Sequence, residues 1–235
     1  MSDREYEQHR PATVSIHGAG HSHSPGDPVV PPIVQSATFH WATPDDGELL
    51  YSRYGNNPNQ LQVSAKIAAL EGTEAAVALG SGMGATAMAF LALTEAGDHI
   101  VASSYLYGAT LSLLRDEMPR RGVPVTFVDP DEEGAFAAAI RPNTKLVHIE
   151  VPTNPSLRVF DPRPIADVAH GAGALLTCDA TFGSPVNFRA ADFGVDVVIQ
   201  SATKYLGGHS DLIAGSAAGS AEVIHEITRM SRLYG

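Results

Sequence analysis

The stretch VDVVIQSATKYLGGHSD, residues 195–211, sets Lys204 just beyond an apolar run of Val195, Val197, Val198 and Ile199. Such a run is the pattern of a buried strand, so the amine falls at a strand's carboxyl end, beside a core. An amine there either has its pKa depressed and serves as a nucleophile, or supplies a charge for a carboxylate to meet. A second run, LLTCDATF, closes on Asp179, which taken alone reads as an ordinary helix N-cap. A third, ALGSGMGATAMAF, places Ser81, Gly82 and Met83 between a strand and a helix. Free backbone N–H groups and the helix dipole favour a phosphate at such a start, although glycines there also let a helix pack closely on a sheet.

An amine, a carboxylate and an anion cradle on one sheet edge together meet the needs of an aldehyde cofactor with a phosphate tail and a pyridine nitrogen. The amine forms a Schiff base, the carboxylate keeps the ring nitrogen protonated and the cradle holds the phosphate. Pyridoxal 5'-phosphate (PLP) is that cofactor. The hydroxyls of Ser201 and Thr203 offer further phosphate bonds, and Tyr107 offers a ring to stack on the pyridine. A nucleotide-binding dehydrogenase is the rival reading. GSGMGA is not GxGxxG, however; the next strand ends VASS without an acidic residue, and Asp98 stands at its wrong end. No GK[ST] makes a P-loop. His21 and His23 lack a third spaced ligand, so no metal site is expected. Cys178 precedes Asp179 and should point into the opposite layer as a core residue.

These residues need a frame. From Leu61 the pattern reads as a helix through LQVSAKIAALEG, a strand AAVAL, a helix GMGATAMAFLALTEAG, a strand HIVAS and a helix from near Gly108. The runs VPVTFV, KLVHIE, ALLTCD and VDVVIQS read as further strands, with helices such as PIADVAHGAG between them. Continuous apolar strands alternating with helices predict an α/β fold, a three-layer αβα domain with a mainly parallel sheet. Its ligand should lie beyond the strands' carboxyl ends, where Ser81, Glu150, Asp179 and Ser201 stand. The first sixty residues, rich in Pro, Gly, Ser and His, show neither helical nor alternating period and read as an extended arm.

A 235-residue chain with 44% hydrophobic and 17% charged residues suits a globular domain with a sizeable core. The net charge of -11, without a basic patch, argues against nucleic-acid and anionic-membrane partners. One cysteine makes no internal disulfide, and neither a leader nor a membrane-spanning run is visible, so the cytoplasm is the expected location.

The segments SIHGAG, PVVPPIVQSATF, YSRYGNNP, LEGTEAAVALGSGMGA, GDHIVASSYLYGAT, VPTNPSLRVFD, CDATFGSPV and SATKYLGGHSD, in this order over residues 14–217, resemble the Cys/Met-metabolism family of PLP enzymes. That family includes cystathionine γ-synthases, cystathionine γ- and β-lyases, methionine γ-lyases and O-acyl-homoserine sulfhydrylases. The resemblance implies the aspartate aminotransferase-like large domain of fold type I over residues 61–235. It makes Lys204 the Schiff-base lysine and Asp179 the partner of the pyridinium nitrogen. Gly82, Met83, Ser201 and Thr203 then hold the phosphate, Tyr107 stacks on the ring and assists the leaving group, and Asn154 stands near the phenolate oxygen. Tyr51 and Arg53 of YSR are implied to reach the phosphate of a neighbouring subunit's cofactor. Residues 1–60 thus become a shared arm in a homodimer or homotetramer.

The implied reaction is γ-elimination or γ-replacement on cystathionine or an O-acyl-homoserine-type amino acid. The alternatives are a cystathionine β-lyase or O-acyl-homoserine sulfhydrylase of the same family, or an inactive truncated PLP-binding remnant. Three positions depart from the family: Ala180 replaces a usual Asn, Gln200 a frequent His, and Ala109 the cysteine of methionine γ-lyases, which argues against that activity. The family's smaller C-terminal domain, with the arginine that binds the substrate carboxylate, has no counterpart here and is expected to be absent.

Overall fold

The computed structural model describes residues 10–19, 25–26, 28–41, 43 and 47–234. His21 and His23 lie outside them. Seven strands form one sheet: β1 (Ala75–Leu79), β2 (His99–Ser103), β3 (Val125–Val128), β4 (Thr144–Glu150), β5 (Leu175–Asp179), β6 (Val197–Gln200) and β7 (Gly215–Gly219). Their spatial order is β1-β7-β6-β5-β4-β2-β3. The pairs β3/β2, β2/β4, β4/β5 and β5/β6 are parallel, and β7 runs antiparallel to both β6 and β1. The sheet is therefore mainly parallel, as the continuous apolar runs predict.

Helices cover both faces. On one, α5 (Ala135–Ala139) and α6 (Arg163–Gly171) bury Phe136, Ile165, Ala166 and Ala169 against Val147, Ile149, Leu176 and Val198. On the other lie α3 (Gly82–Leu93), α4 (Gly108–Ser112), which runs on through a π-helical turn at Leu113–Glu117, and α8 (Ala221–Tyr234). There Ala85, Met88 and Ala89 of α3 and Ile224 and Ile227 of α8 pack on Val77, Val197, Ile199 and Ala217, while Phe90 and Leu114 pack on Ile100 and Leu146. Alternate residues of β6 serve opposite faces: Val198 belongs to the first cluster, Val197 and Ile199 to the second. This is the three-layer αβα arrangement. Cys178 is fully buried in the first cluster, and burial pushes its thiol well above the ordinary range.

Three elements depart from the sequence-based expectation. Within the stretch read as an extended arm, Pro11–His17 forms a helix, α1, that buries Val14, and Lys66 donates to the Ile16 carbonyl. Its single buried apolar residue is too few to make a periodicity. Helix α2 (Pro58–Glu71) begins three residues before Leu61, fixed by a capping box in which Asn57 accepts from the first turn and Gln60 answers, with Pro58 at the first position. Strand β7 is made wholly of small residues, GSAAG, without the β-branched signature of a strand. Neighbouring backbone forces that composition. A Cβ on Gly215 would lie 2.0 Å from the Ser81 carbonyl oxygen, and one on Gly219 2.4 Å from that of Asp196.

Candidate active site

The carboxyl ends of β4, β5 and β6 and the start of α3 open onto one cavity of about 440 Å³. Its lining includes Gly82, Met83, Tyr107, Asn154, Asp179, Ser201, Thr203 and Lys204, so eight of the ten residues singled out in the sequence meet there.

At the β1–α3 turn, Ser81 caps the helix by accepting from the Gly84 N–H at 2.9 Å. The earlier first-turn N–H groups, those of Gly82 and Met83, have no intrahelical acceptor and can take an anion. Gly82 also meets the packing role open to it: a Cβ would stand 2.7 Å from the Ser201 Cβ. The two roles coincide, because the same close approach brings the hydroxyl of Ser201 beside the helix start. Ser201 is held in turn by its N–H, which donates to Thr181 Oγ1 at 2.7 Å. Thr203 lines the cavity, yet its hydroxyl donates to the Ala214 carbonyl and accepts from the Ala214 N–H. Its backbone N–H donates to the same Ala214 carbonyl, so what the hydroxyl has left for another partner is one lone pair.

Lys204 follows β6 in a tight turn, its N–H donating to the Ser201 carbonyl. It is exposed to the cavity rather than set in the core edge, and it forms no ion pair among the described residues. No carboxylate among the described residues pairs with it as a structural charge. His209 and Asp211, read as candidates for holding this loop, are exposed and make no side-chain hydrogen bond or ion pair among the described residues. The turn is closed by backbone bonds from Gly207 to Ala202 and from Gly208 to Lys204, with Gly208 at φ 82°.

Asp179 accepts from the Thr181 N–H at 3.0 Å, but it caps no helix, since α7 (Ser184–Asn187) starts later. Burial raises its pKa, partly offset by the bonds from Thr181. A cation placed against it would restore the charged form. Glu150, paired in register with Asp179 on the neighbouring strand, is only 4% exposed. Burial first, then the charge of Asp179, push its pKa up to about 8, against two backbone N–H donors that favour the carboxylate. Thr181, Phe182, Thr86 and Glu150 were not assigned to the site from sequence. Of these, Glu150 alone carried a signal, its place at a strand's carboxyl end.

Tyr51 and Arg53 do not reach this cavity. The Arg53 guanidinium stands 5.5 Å and 5.0 Å from the ring centres of Tyr51 and Tyr54 and donates to the Arg232 carbonyl at the end of α8. Asp98, the residue a dehydrogenase reading would need, accepts from the Glu95 N–H in the turn before β2. It has no place at a ribose site.

An exposed amine, a carboxylate at the end of the neighbouring parallel strand, a helix start that only glycine fits and a half-exposed tyrosine suit an aldehyde cofactor with a phosphate tail. The comparisons agree. The chain is 42% identical over 226 residues to L-methionine gamma-lyase of Porphyromonas gingivalis, an alignment covering 92% of this chain and 56% of that protein. It is 38% identical over 226 residues to canavanine gamma-lyase of Pseudomonas canavaninivorans, with the same coverage. The crystal structure of metB from Corynebacterium glutamicum superposes with a TM-score of 0.91 at 34% identity, covering 98% of this chain and 60% of that one. The chain thus spans somewhat over half the length of these relatives. It has the large-domain architecture of fold type I. With the profile of the Cys/Met metabolism PLP-dependent enzymes matching residues 12–235, the chain belongs to that family.

Proposed function

We propose that this chain forms the cofactor-binding part of a PLP-dependent enzyme that performs γ-elimination or γ-replacement on cystathionine or an O-acyl-homoserine-type amino acid. The observation that carries the reading is the meeting of Lys204, Asp179 and the start of α3 on one cavity. The γ-lyase names of the two relatives support reaction at the γ-carbon. Ala109, on α4 beside Tyr107, supports substrates other than methionine.

When bound, PLP supplies an electron sink next to the substrate's α-carbon. Lys204 would hold the cofactor's aldehyde carbon through its amine and, when free, would serve as the base that moves protons at a substrate's α- and β-carbons. Asp179 would keep the ring nitrogen protonated. The Gly82 and Met83 N–H groups and the Ser201 hydroxyl would hold the phosphate, and Tyr107 would offer its ring to the pyridine and its hydroxyl as a proton donor to the leaving group. Asn154, on the loop after β4, lines the same cavity and would serve the phenolate oxygen. Borohydride reduction of PLP-loaded chain followed by peptide mapping tests the reading. The adduct is expected on Lys204; finding it on Lys66 or Lys145 would show that the anchor is misassigned.

A further inference from the structure

Glu150 is a carboxylate held almost out of solvent with no cationic partner among the described residues. Burying such a group is costly unless its oxygens are satisfied. Two backbone amides satisfy them: the Tyr107 N–H donates to Oε2 at 2.7 Å, and the Asn154 N–H donates to Oε1 at 2.6 Å. The amides come from different loops, one entering α4 and the other leaving β4. Tyr107 has no side-chain cap bond of its own as the N-cap of α4, and its ring is 46% exposed without an aromatic partner among the described residues. Its backbone anchor therefore decides where the ring stands.

From this geometry, and resting on the cofactor reading above, we infer that Glu150 is a positioning residue, whose two oxygens set the Tyr107 and Asn154 loops at a fixed separation across the ring's site. A carboxylate suits the task because two N–H donors require two acceptors. The isosteric amide of glutamine has one acceptor and would turn an NH2 group toward one of the donors. Leaving a buried N–H unpaired carries a penalty on the order of a tenfold change in an equilibrium or more. The register pairing of Glu150 with Asp179 adds a second consequence: both loops are referenced to the strand that carries the carboxylate for the ring nitrogen.

The test is a cycle of variants of the 235-residue chain, read by the PLP dissociation constant and by the visible circular dichroism of the bound cofactor, which reports ring orientation. Thermal unfolding of the cofactor-free protein serves as control. Glu150→Gln is expected to weaken PLP binding by about tenfold or more and to change the visible dichroism. In a Tyr107→Ala, Asn154→Ala background the same substitution should add less than about twofold to the loss of PLP affinity, because the side chains it positions are gone; the backbone N–H donors remain, so the cost of their lost acceptor is read in the thermal unfolding of the cofactor-free protein. Wild-type affinity and dichroism in Glu150→Gln would overturn the inference, as would an equal loss in both backgrounds. If Glu150→Gln does not fold, Glu150→Asp, which keeps both acceptors but draws them back by a methylene, goes through the same cycle under the same criteria. Wild-type chain that fails to take PLP on Lys204 would sink the cofactor reading and this inference together, whereas normal wild-type loading with an unresponsive Glu150 sinks the inference alone.

Discussion

Asp179 stands among Thr181, Glu150 and a cavity, with burial raising its pKa in the cofactor-free protein. A ring nitrogen bearing a proton supplies the positive charge that this carboxylate lacks, so each group favours the ionised form of the other. Asp179→Ala removes that coupling while leaving the phosphate seat at Gly82 and Ser201 intact. PLP affinity is expected to fall by no more than about tenfold, while exchange of a substrate's α-proton in D2O falls by roughly a hundredfold or more, since a neutral pyridine is a weak electron sink. Exchange at the wild-type rate in this variant would remove Asp179 from its role. At this scale Thr181 is the residue to add to the site: its backbone N–H donates to Asp179 and its hydroxyl accepts from the Ser201 N–H, so one residue, through backbone and side chain, ties Asp179 to Ser201.

Helix α2 meets the sheet through a buried carboxylate. Glu71, its last residue, is fully buried; Oε1 accepts from Gln200 Nε2 at 2.8 Å and Oε2 has no partner among the described residues. Arg189 is near enough to lower its pKa but makes no bond to it, and leans instead toward Asp192 at 3.5 Å. Burial wins and raises Glu71 from 4.5 to about 7. A folded-state pKa above the unfolded one means that the native protein holds the proton more tightly. The resulting stability is fully present below about pH 4.5 and is lost as pH rises through about 7. The loss amounts to roughly 3 kcal/mol. Glu71→Gln keeps the acceptor for Gln200 and removes the ionisation. The difference in urea-unfolding free energy between variant and wild type should therefore grow in the variant's favour from pH 5 to 8. A difference flat across that range would refute the assignment. Glu150, raised by the same cause, leaves its own pH dependence in both proteins and cancels in the comparison.

For the molecule as a whole, the YSR segment lies away from the cavity of its own chain, its arginine held at the end of α8. The proposal that residues 1–60 serve a neighbouring subunit predicts a specific behaviour of mixtures. Arg53→Ala chains and Lys204→Ala chains, each defective alone, should regain PLP-dependent turnover or tight PLP binding when hybrids form, because one of the two sites then has both residues intact. A planar guanidinium suits that use, donating two bonds to a phosphate. Hybrids shown to form by mass, yet recovering neither property, would place Arg53 in its own site or in none. Exposed apolar residues of the first sixty, Val29, Val30 and Ile33, give the segment a surface that a second copy could cover.

The sequence by itself determined the parallel core of the sheet and that Lys204, Asp179 and Gly82 come to one edge of it. Runs such as LLTCD and VDVVIQ are mostly apolar, without a polar alternation, because helices cover both faces, and the residue that ends each run must then stand at the ligand-bearing edge. Lys204, Asp179 and Gly82 were legible for that reason. Strand β7 was not, since GSAAG has the composition of a loop, and only the backbone of Ser81 and Asp196 pressing on Gly215 and Gly219 makes small residues a requirement there. Nor were the hydrogen bonds of Glu150 and Thr181. A carboxylate buried at a strand end reads the same in sequence whether it meets a cation, water or backbone. That it accepts from Tyr107, 43 positions away, and Asn154, four away, is a consequence of β4 lying between β2 and β5. Tertiary structure also decided what Arg53 touches within one chain, because its partners, the Tyr51 and Tyr54 rings and the carbonyl of Arg232, include a residue 179 positions distant that no local pattern could pair with it.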